Sequence, residues 1–323
     1  MAPPLLSDEL SNPLLQVVGN LFRWSGEVRE VFRFSTPLVT VTPAKNPCFY
    51  LKNTDSNRWE FQSRYGLREL KLGQCTGLWR SDLSLPEPLE TIFQVQLRGQ
   101  IVAEVATQVQ ANAIARRLQQ ALRNPYFDPH SLYPAIVGGV PAVKAGEEVL
   151  FWLEPELALW LDRNPELMAI GWTNNLRAAM NIPSLPLAEA QRQMHHLVPT
   201  KQQIHGLASW YGPYFHGRLT ATGEIFDQHA LTAAHPTLPF NTYLKVTNLL
   251  SGKTVIVRIN DRGPYFEDRS LDLSYEAARC LDSEATGVVP YEAVIMEPAE
   301  LAPFKAGLNP EQLDTAQLFA DRP

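Results

Sequence analysis

Tyr243-Leu244-Lys245-Val246-Thr247-Asn248 and Lys253-Thr254-Val255-Ile256-Val257-Arg258-Ile259, joined around Ser251-Gly252, read as a β-hairpin with β-branched residues filling its second strand. Downstream, Ser274 has the chemistry to cap a short helix carrying Ala277, Ala278 and Leu281, and Tyr291 to Met296 reads as a closing strand. Short strands and turns around one helix, over roughly 90 residues from 205 to 297, suit a small closed barrel. The predicted fold class is therefore α+β, a C-terminal barrel preceded by an α+β region.

Two Pro-rich or polar seams, Pro86 to Pro88 and Pro183 to His205, divide what lies upstream. They predict an N-terminal β-rich region over 1–94 with strand-like Leu38 to Val41 and Cys48 to Lys52, an α+β domain over 95–182, and a linker over 183–204. In the α+β domain, Thr107 and Gln110 have capping-box spacing, and Ala111, Ile114, Ala115, Leu118, Ala121 and Leu122 recur at helical period. Gly138-Gly139 marks a turn, Glu148 to Leu153 a strand, and Asn164-Pro165-Glu166 an N-cap followed by proline at the first helical position. This patterning is that of a packed core without a constellation of reactive groups, so it predicts a docking or interaction domain. Residues 298–323 form a Pro- and acid-containing tail.

The chain of 323 residues has 28 Lys and Arg against 34 Asp and Glu, a formal charge of −6. That balance, with no basic block, excludes a nucleic-acid binder or an anionic-membrane binder, both of which need a positive field. The most apolar stretch, Val149 to Ile170, is broken by Glu154, Pro155, Glu156, Asp162, Arg163 and Pro165, so no transmembrane segment is expected. Met1 to Gly26 shows no signal-peptide pattern, and no cysteine near the start has a lipid-accepting context. Cys48, Cys75 and Cys280 form no zinc-type spacing, and a Cys48 to Cys75 disulfide and two free thiols both remain open.

Asp261 follows a strand directly and precedes the turn Arg262-Gly263-Pro264, at a rim where a carboxylate can meet a ligand or simply bond its own turn. Arg262 beside it can hold Asp261 ionised. Glu224 lies in the small-residue turn Thr220-Ala221-Thr222-Gly223-Glu224, which admits close approach of a ligand but equally describes a solvated turn. His235 follows two alanines that leave room beside its imidazole; the plain alternative is a histidine bonded within a turn. His195, His196, His205, His216 and His229 share no helical or strand spacing and read as surface residues, so no metal site is expected. Trp210-Tyr211-Gly212-Pro213-Tyr214-Phe215 offers rings that suit either a sugar platform or a barrel core. Nucleophile elbow, P-loop, dinucleotide fingerprint and H-E-x-x-H are all missing.

Six motifs in order, Gly206-Leu207-Ala208-Ser209-Trp210-Tyr211-Gly212, Phe215 to Glu224, Leu231-Thr232-Ala233-Ala234-His235, Lys245 to Leu249, Val257 to Pro264 and Leu271-Asp272-Leu273-Ser274, closely resemble the rare lipoprotein A (RlpA) family. That family comprises septal-ring-associated lytic transglycosylases with a double-psi β-barrel, and the resemblance covers about residues 205 to 297. It implies cleavage of peptidoglycan glycan strands lacking stem peptides, between N-acetylmuramic acid and N-acetylglucosamine, leaving a 1,6-anhydro end. It also implies Asp261, Glu224 and His235 as catalytic residues, with Tyr211, Thr220, Arg262 and Asp272 as substrate-binding candidates, and no cofactor. Peptidoglycan strands and cell-division proteins are the implied partners, and the cell envelope or periplasm the implied location. The family's usual C-terminal peptidoglycan-binding repeat is not found after 297. Two other readings compete with the enzyme: a non-catalytic glycan-binding module of the expansin type, and a structural partner of the division machinery docking through residues 1 to 182.

Overall fold

The computed structural model describes residues 38–46, 48–53, 58–63, 91–153, 155–161, 163–265 and 268–299. β1 (Val39–Lys45) pairs antiparallel with β4 (Thr91–Leu97), which pairs with β5 (Gln100–Val105), while β2 (Cys48–Asn53) and β3 (Arg58–Ser63) form a separate hairpin. The boundary expected at residue 94 thus falls inside β4, and β1 belongs to the sheet that follows it. Cys75, half of the disulfide considered above, lies outside the described residues.

Helix α1 (Gln108–Arg123) begins with both halves of the capping box in place: Thr107 Oγ1 accepts the Gln110 N–H, and the Gln110 side chain accepts the Thr107 N–H. Its stripe of Ala111, Ile114, Leu118 and Ala121 is buried against the β1–β4–β5 sheet. A second antiparallel sheet follows, β6 (Leu132–Val137), β7 (Val140–Ala145) and β8 (Glu148–Trp152). Helices α2 (Pro155–Leu161) and α3 (Pro165–Ala179) complete this domain, α3 lying against β5, β6 and β7. Asn164 caps α3 by accepting the Leu167 N–H at 2.9 Å, with proline at the first position as its sequence predicts. Arg177 of α3 is buried and donates to the carbonyls of Pro183, His130 and Leu132, tying the loop after α3 to the start of β6.

The stretch expected as a linker holds helix α4 (Leu187–Met194) and the start of the long strand β9 (Leu197–Trp210). After β9 come β10 (Thr232–Ala234), β11 (Tyr243–Asn248), β12 (Thr254–Asp261), β13 (Arg269–Leu273), helix α5 (Tyr275–Cys280) and β14 (Val289–Pro298). The six strands close into a barrel in the order β10-β12-β11-β14-β9-β13. Two of its pairs, β10 with β12 and β13 with β9, are parallel, which together with the crossing connections makes it a double-psi barrel. Leu244, Val246, Val257, Ile259, Leu271 and Leu273 fill the interior, and each such side chain contributes about 1.5–3 kcal/mol by leaving water. Ser274 accepts the Ala277 N–H and caps α5.

The two halves touch through specific groups. Leu167 of α3 packs into the barrel core, Asn164 Nδ2 donates to the His229 carbonyl at 2.7 Å, and the Gln191 amide of α4 both donates to and accepts from the backbone of Ile256, each at 2.8 Å. β10 reaches no further along β12 than Arg258, so at Ile256 the Gln191 side chain stands where a neighbouring strand would. Among the described residues no helix is long and apolar enough to cross a membrane.

Candidate active site

One end of the barrel gathers the polar residues. Register between β10 and β12 slips so that Ala233 faces Ile259 and Ala234 faces Asp261, leaving Asn260 as the extra residue of a bulge. A bulge re-aims the side chains around it, and here Asn260 and Asp261 both reach the segment 220–224. Asp261 Oδ1 accepts the N–H groups of Ala221 and Arg262, each at 2.8 Å, and Oδ2 accepts the Tyr211 hydroxyl at 3.1 Å. The carboxylate is therefore oriented by three donors from three segments. Burial, then the Asp261 charge, push the Tyr211 hydroxyl far above its usual range, so it stays protonated and donates.

Glu224 sits at the turn of a small hairpin, 217–226, in which Gly217 N–H bonds the Phe226 carbonyl, Phe226 N–H that of Arg218, and Thr220 N–H that of Glu224. Gly223 has φ +86°, the left-handed conformation such a turn requires. The Glu224 carboxylate is gripped by both Arg258 amino groups at 2.9 and 2.8 Å and by Asn260 Nδ2 at 3.1 Å. Arg258, then Asn260, bring its pKa down to about 2, against a desolvation that acts the other way. Glu224 is consequently a fixed anion beside Asp261 and not a proton donor. Thr220 is buried and its hydroxyl is occupied by Thr222 at 2.8 Å and the Glu224 carbonyl at 3.0 Å, so it shapes this turn.

His235 follows β10 and bonds the Asp261 carbonyl through its backbone N–H at 3.2 Å. Its Nδ1 accepts from Thr237 and Leu238 N–H at 3.2 and 3.1 Å, which assigns the ring proton to Nε2. Burial, then the Arg262 charge, lower its pKa and keep the imidazole neutral. Arg262 donates to the His235 carbonyl at 3.2 Å and stacks 3.7 Å over the Phe240 ring, so its charge braces the His235 loop. Asp272 lies across Ala234 from Asp261, hydrogen-bonded to Ser209 Oγ, which Arg269 also contacts at 2.9 Å. The Asp272 charge adds, after burial and Asp261, to the rise in the Tyr211 pKa.

The aromatic segment divides. Trp210 packs on Tyr275 with ring centres 5.2 Å apart, and Tyr211 on Phe226 at 4.8 Å, both as support. Tyr214 is 80% exposed, as is Tyr265, at 74%, just past the Asp261 turn. Sequence reasoning missed Arg258, Asn260, Ser209, Arg269 and Tyr265. Arg258 and Asn260 lie in the strand motif that ends on Asp261, and alternation sets them on one face but gives no sign that Glu224, 34 and 36 positions earlier, lies opposite them. Tyr265 was detectable as an aromatic directly after Gly263-Pro264.

Residues 203–293 match the family model described as "Lytic transglycolase". A Synechocystis sp. protein named probable endolytic peptidoglycan transglycosylase RlpA is 41% identical over 193 residues, 56% of this chain and 60% of that protein. The endolytic peptidoglycan transglycosylase RlpA of Campylobacter jejuni is 53% identical over 94 residues, 29% of this chain and 34% of that protein. The chain thus spans less than two thirds of the length of these curated relatives. Among solved structures, an expansin of Clavibacter michiganensis is 24% identical with a TM-score of 0.26, over 30% of this chain and 52% of that one.

Proposed function

We propose that this chain, whose barrel belongs over residues 203–293 to the lytic transglycolase family, cleaves peptidoglycan glycan strands endolytically between N-acetylmuramic acid and N-acetylglucosamine, leaving 1,6-anhydro ends. The observation that carries this reading is the division of labour between the two carboxylates. Glu224 is held as an anion by Arg258 and Asn260, while Asp261 is oriented by Tyr211, Ala221 and Arg262 at an accessible rim.

In the proposed reaction Asp261 carries the proton that the leaving group needs. Its carboxyl protonates the glycosidic oxygen as the bond to C1 of the muramic residue breaks, and the C6 hydroxyl of that sugar then attacks C1 and returns its proton to Asp261. The acid is regenerated and no water is consumed. The fixed charge of Glu224 favours the oxocarbenium-like centre electrostatically. The neutral His235, with its proton on Nε2, offers a donor to a sugar hydroxyl, and Tyr214 and Tyr265 offer faces for sugar rings to stack on. Arg262, Thr220 and Asp272 act in this scheme by bracing the loops that carry the reacting groups. Residues 205–297 are the catalytic unit, acting in the cell envelope, and the α+β domain ahead of it serves as a docking surface for cell-division proteins.

The test is incubation of the purified chain and its Asp261→Asn variant with glycan strands stripped of stem peptides, followed by mass spectrometry of soluble fragments. Anhydro-muramic ends from the unmodified chain alone are expected. Reducing ends would make it a hydrolase. Co-sedimentation of both forms with glycan but no fragments would replace the enzyme by a binding module.

A further inference from the structure

We propose that His216, Asp227 and His229 form a binding site for a divalent transition metal of the zinc class, at the base of the hairpin that carries Glu224. Each offers one ligand atom, and the three atoms lie within 4.8 Å of one another. In a tetrahedral shell, metal–ligand bonds of about 2.0–2.2 Å set ligand atoms about 3.4 Å apart, so side-chain movements that shorten the widest separation by up to about 1.4 Å close the site. Two imidazoles with one carboxylate select zinc, cobalt or nickel over magnesium or calcium, which prefer all-oxygen shells. Three protein ligands leave further positions for water.

The ligands are held toward one another by the fold. His216 and Asp227 immediately flank the hairpin 217–226, whose cross-strand bonds bring its two ends together. His216 Nδ1 accepts the Gln228 N–H at 3.3 Å and lies 3.8 Å from Asp227 Oδ1, so its lone pair is turned toward the Asp227–His229 segment. That long bond is one a cation readily displaces. The His216 and His229 rings stand 5.7 Å apart at 87°, and Asp227 Oδ1 accepts the His229 N–H at 2.9 Å. Asn164 of the neighbouring domain fixes the His229 carbonyl at 2.7 Å, the kind of outer contact that keeps a ligand in place. His216 and Asp227 are exposed, so an ion reaches them from solvent.

Bound there, the metal clips together the two ends of a ten-residue loop whose tip supplies Glu224 and the Ala221 N–H that orients Asp261. Its role is positional, and its existence does not depend on what the site above cleaves.

Co²⁺ added to the chelator-treated full chain tests this through its visible absorption, with Zn²⁺ as competitor and thermal unfolding as a second readout. One equivalent of Co²⁺ is expected to give a ligand-field band that Zn²⁺ abolishes, with a rise in unfolding temperature for either ion. His216→Gln, Asp227→Asn and His229→Gln should each weaken binding by at least about 100-fold, more than loss of an outer contact does. Absence of the band in the unmodified chain overturns the proposal, as does a band unchanged in all three variants, which would place the ion on other histidines. None of these readouts involves glycan cleavage, so failure here and failure of the lyase reading are told apart.

Discussion

The α+β domain and the barrel both enclose an apolar core, but they commit their charged side chains differently. In the first, Arg177 is buried and aimed at three backbone carbonyls, and Arg163 is buried against Glu104 at 2.8 Å. Every one of these contacts holds chain to chain. At the barrel end, Arg258 grips a Glu224 that is 43% exposed, and Asp261 is oriented by donors while its rim faces solvent. An arginine buried against carbonyls or against a mostly buried carboxylate marks scaffold, whereas one that, together with Asn260, fixes a half-exposed carboxylate at the rim marks a place prepared for something from outside.

Substitutions in the two regions should separate on that basis. Asp261→Asn should lower anhydro-product formation by about 10²–10⁴-fold, the usual scale of general acid–base catalysis, with the unfolding midpoint nearly unchanged. Retention of activity would break the comparison at its strongest point. Arg177→Met should do the opposite, costing about 3 kcal/mol in denaturant unfolding because buried carbonyls lose a charged donor, while activity per folded molecule stays the same.

A subtler measurement concerns acid. Glu224 has a folded pKa of about 2, below the 4.5 of an unperturbed Glu, so its contribution to stability is complete above pH 4.5 and is lost as pH falls through 2. The stability gap between the unmodified chain and Arg258→Gln should therefore be widest near neutral pH and close between pH 4.5 and 2. Because the carboxylate is solvent-screened, the gap should be on the order of 1 kcal/mol or less. Smallest of all, NMR titration of His235 should give a midpoint below the ordinary 6.5, and Arg262→Gln should raise it part of the way back, since burial is the larger cause. A midpoint that ignores Arg262 would remove the electrostatic link between the loop and its brace.

Much of this was legible in the sequence because local chemistry decides it. The hairpin around Ser251-Gly252, the Thr107–Gln110 box and the Asn164 and Ser274 caps depend on neighbours within a few residues, and all stand as read. Asp261 was legible as a rim carboxylate because a strand end followed by Arg-Gly-Pro is itself a local signal. The partnership of Glu224 with Arg258 and Asn260 was not, since it depends on the hairpin 217–226 folding back onto a strand 34 to 36 positions further on. The His216–Asp227–His229 cluster was hidden for a similar reason: no period links 216 to 229 until the hairpin between them closes. The Pro- and His-rich seam misled because composition reports chain punctuation, whereas Gln191 acts through one amide reaching a strand 65 positions away.

That amide has a consequence for how the molecule can be divided. By occupying both hydrogen-bonding groups of Ile256, Gln191 seals a gap in the rim of β12 that the short β10 leaves open. A barrel excised at the family boundary of residue 203 would bare that notch to solvent, as an open template on which a strand from a second molecule could dock. The helix ahead of the barrel thus works as a plug over that notch, and shortening the protein to its recognisable domain would be expected to trade solubility for simplicity.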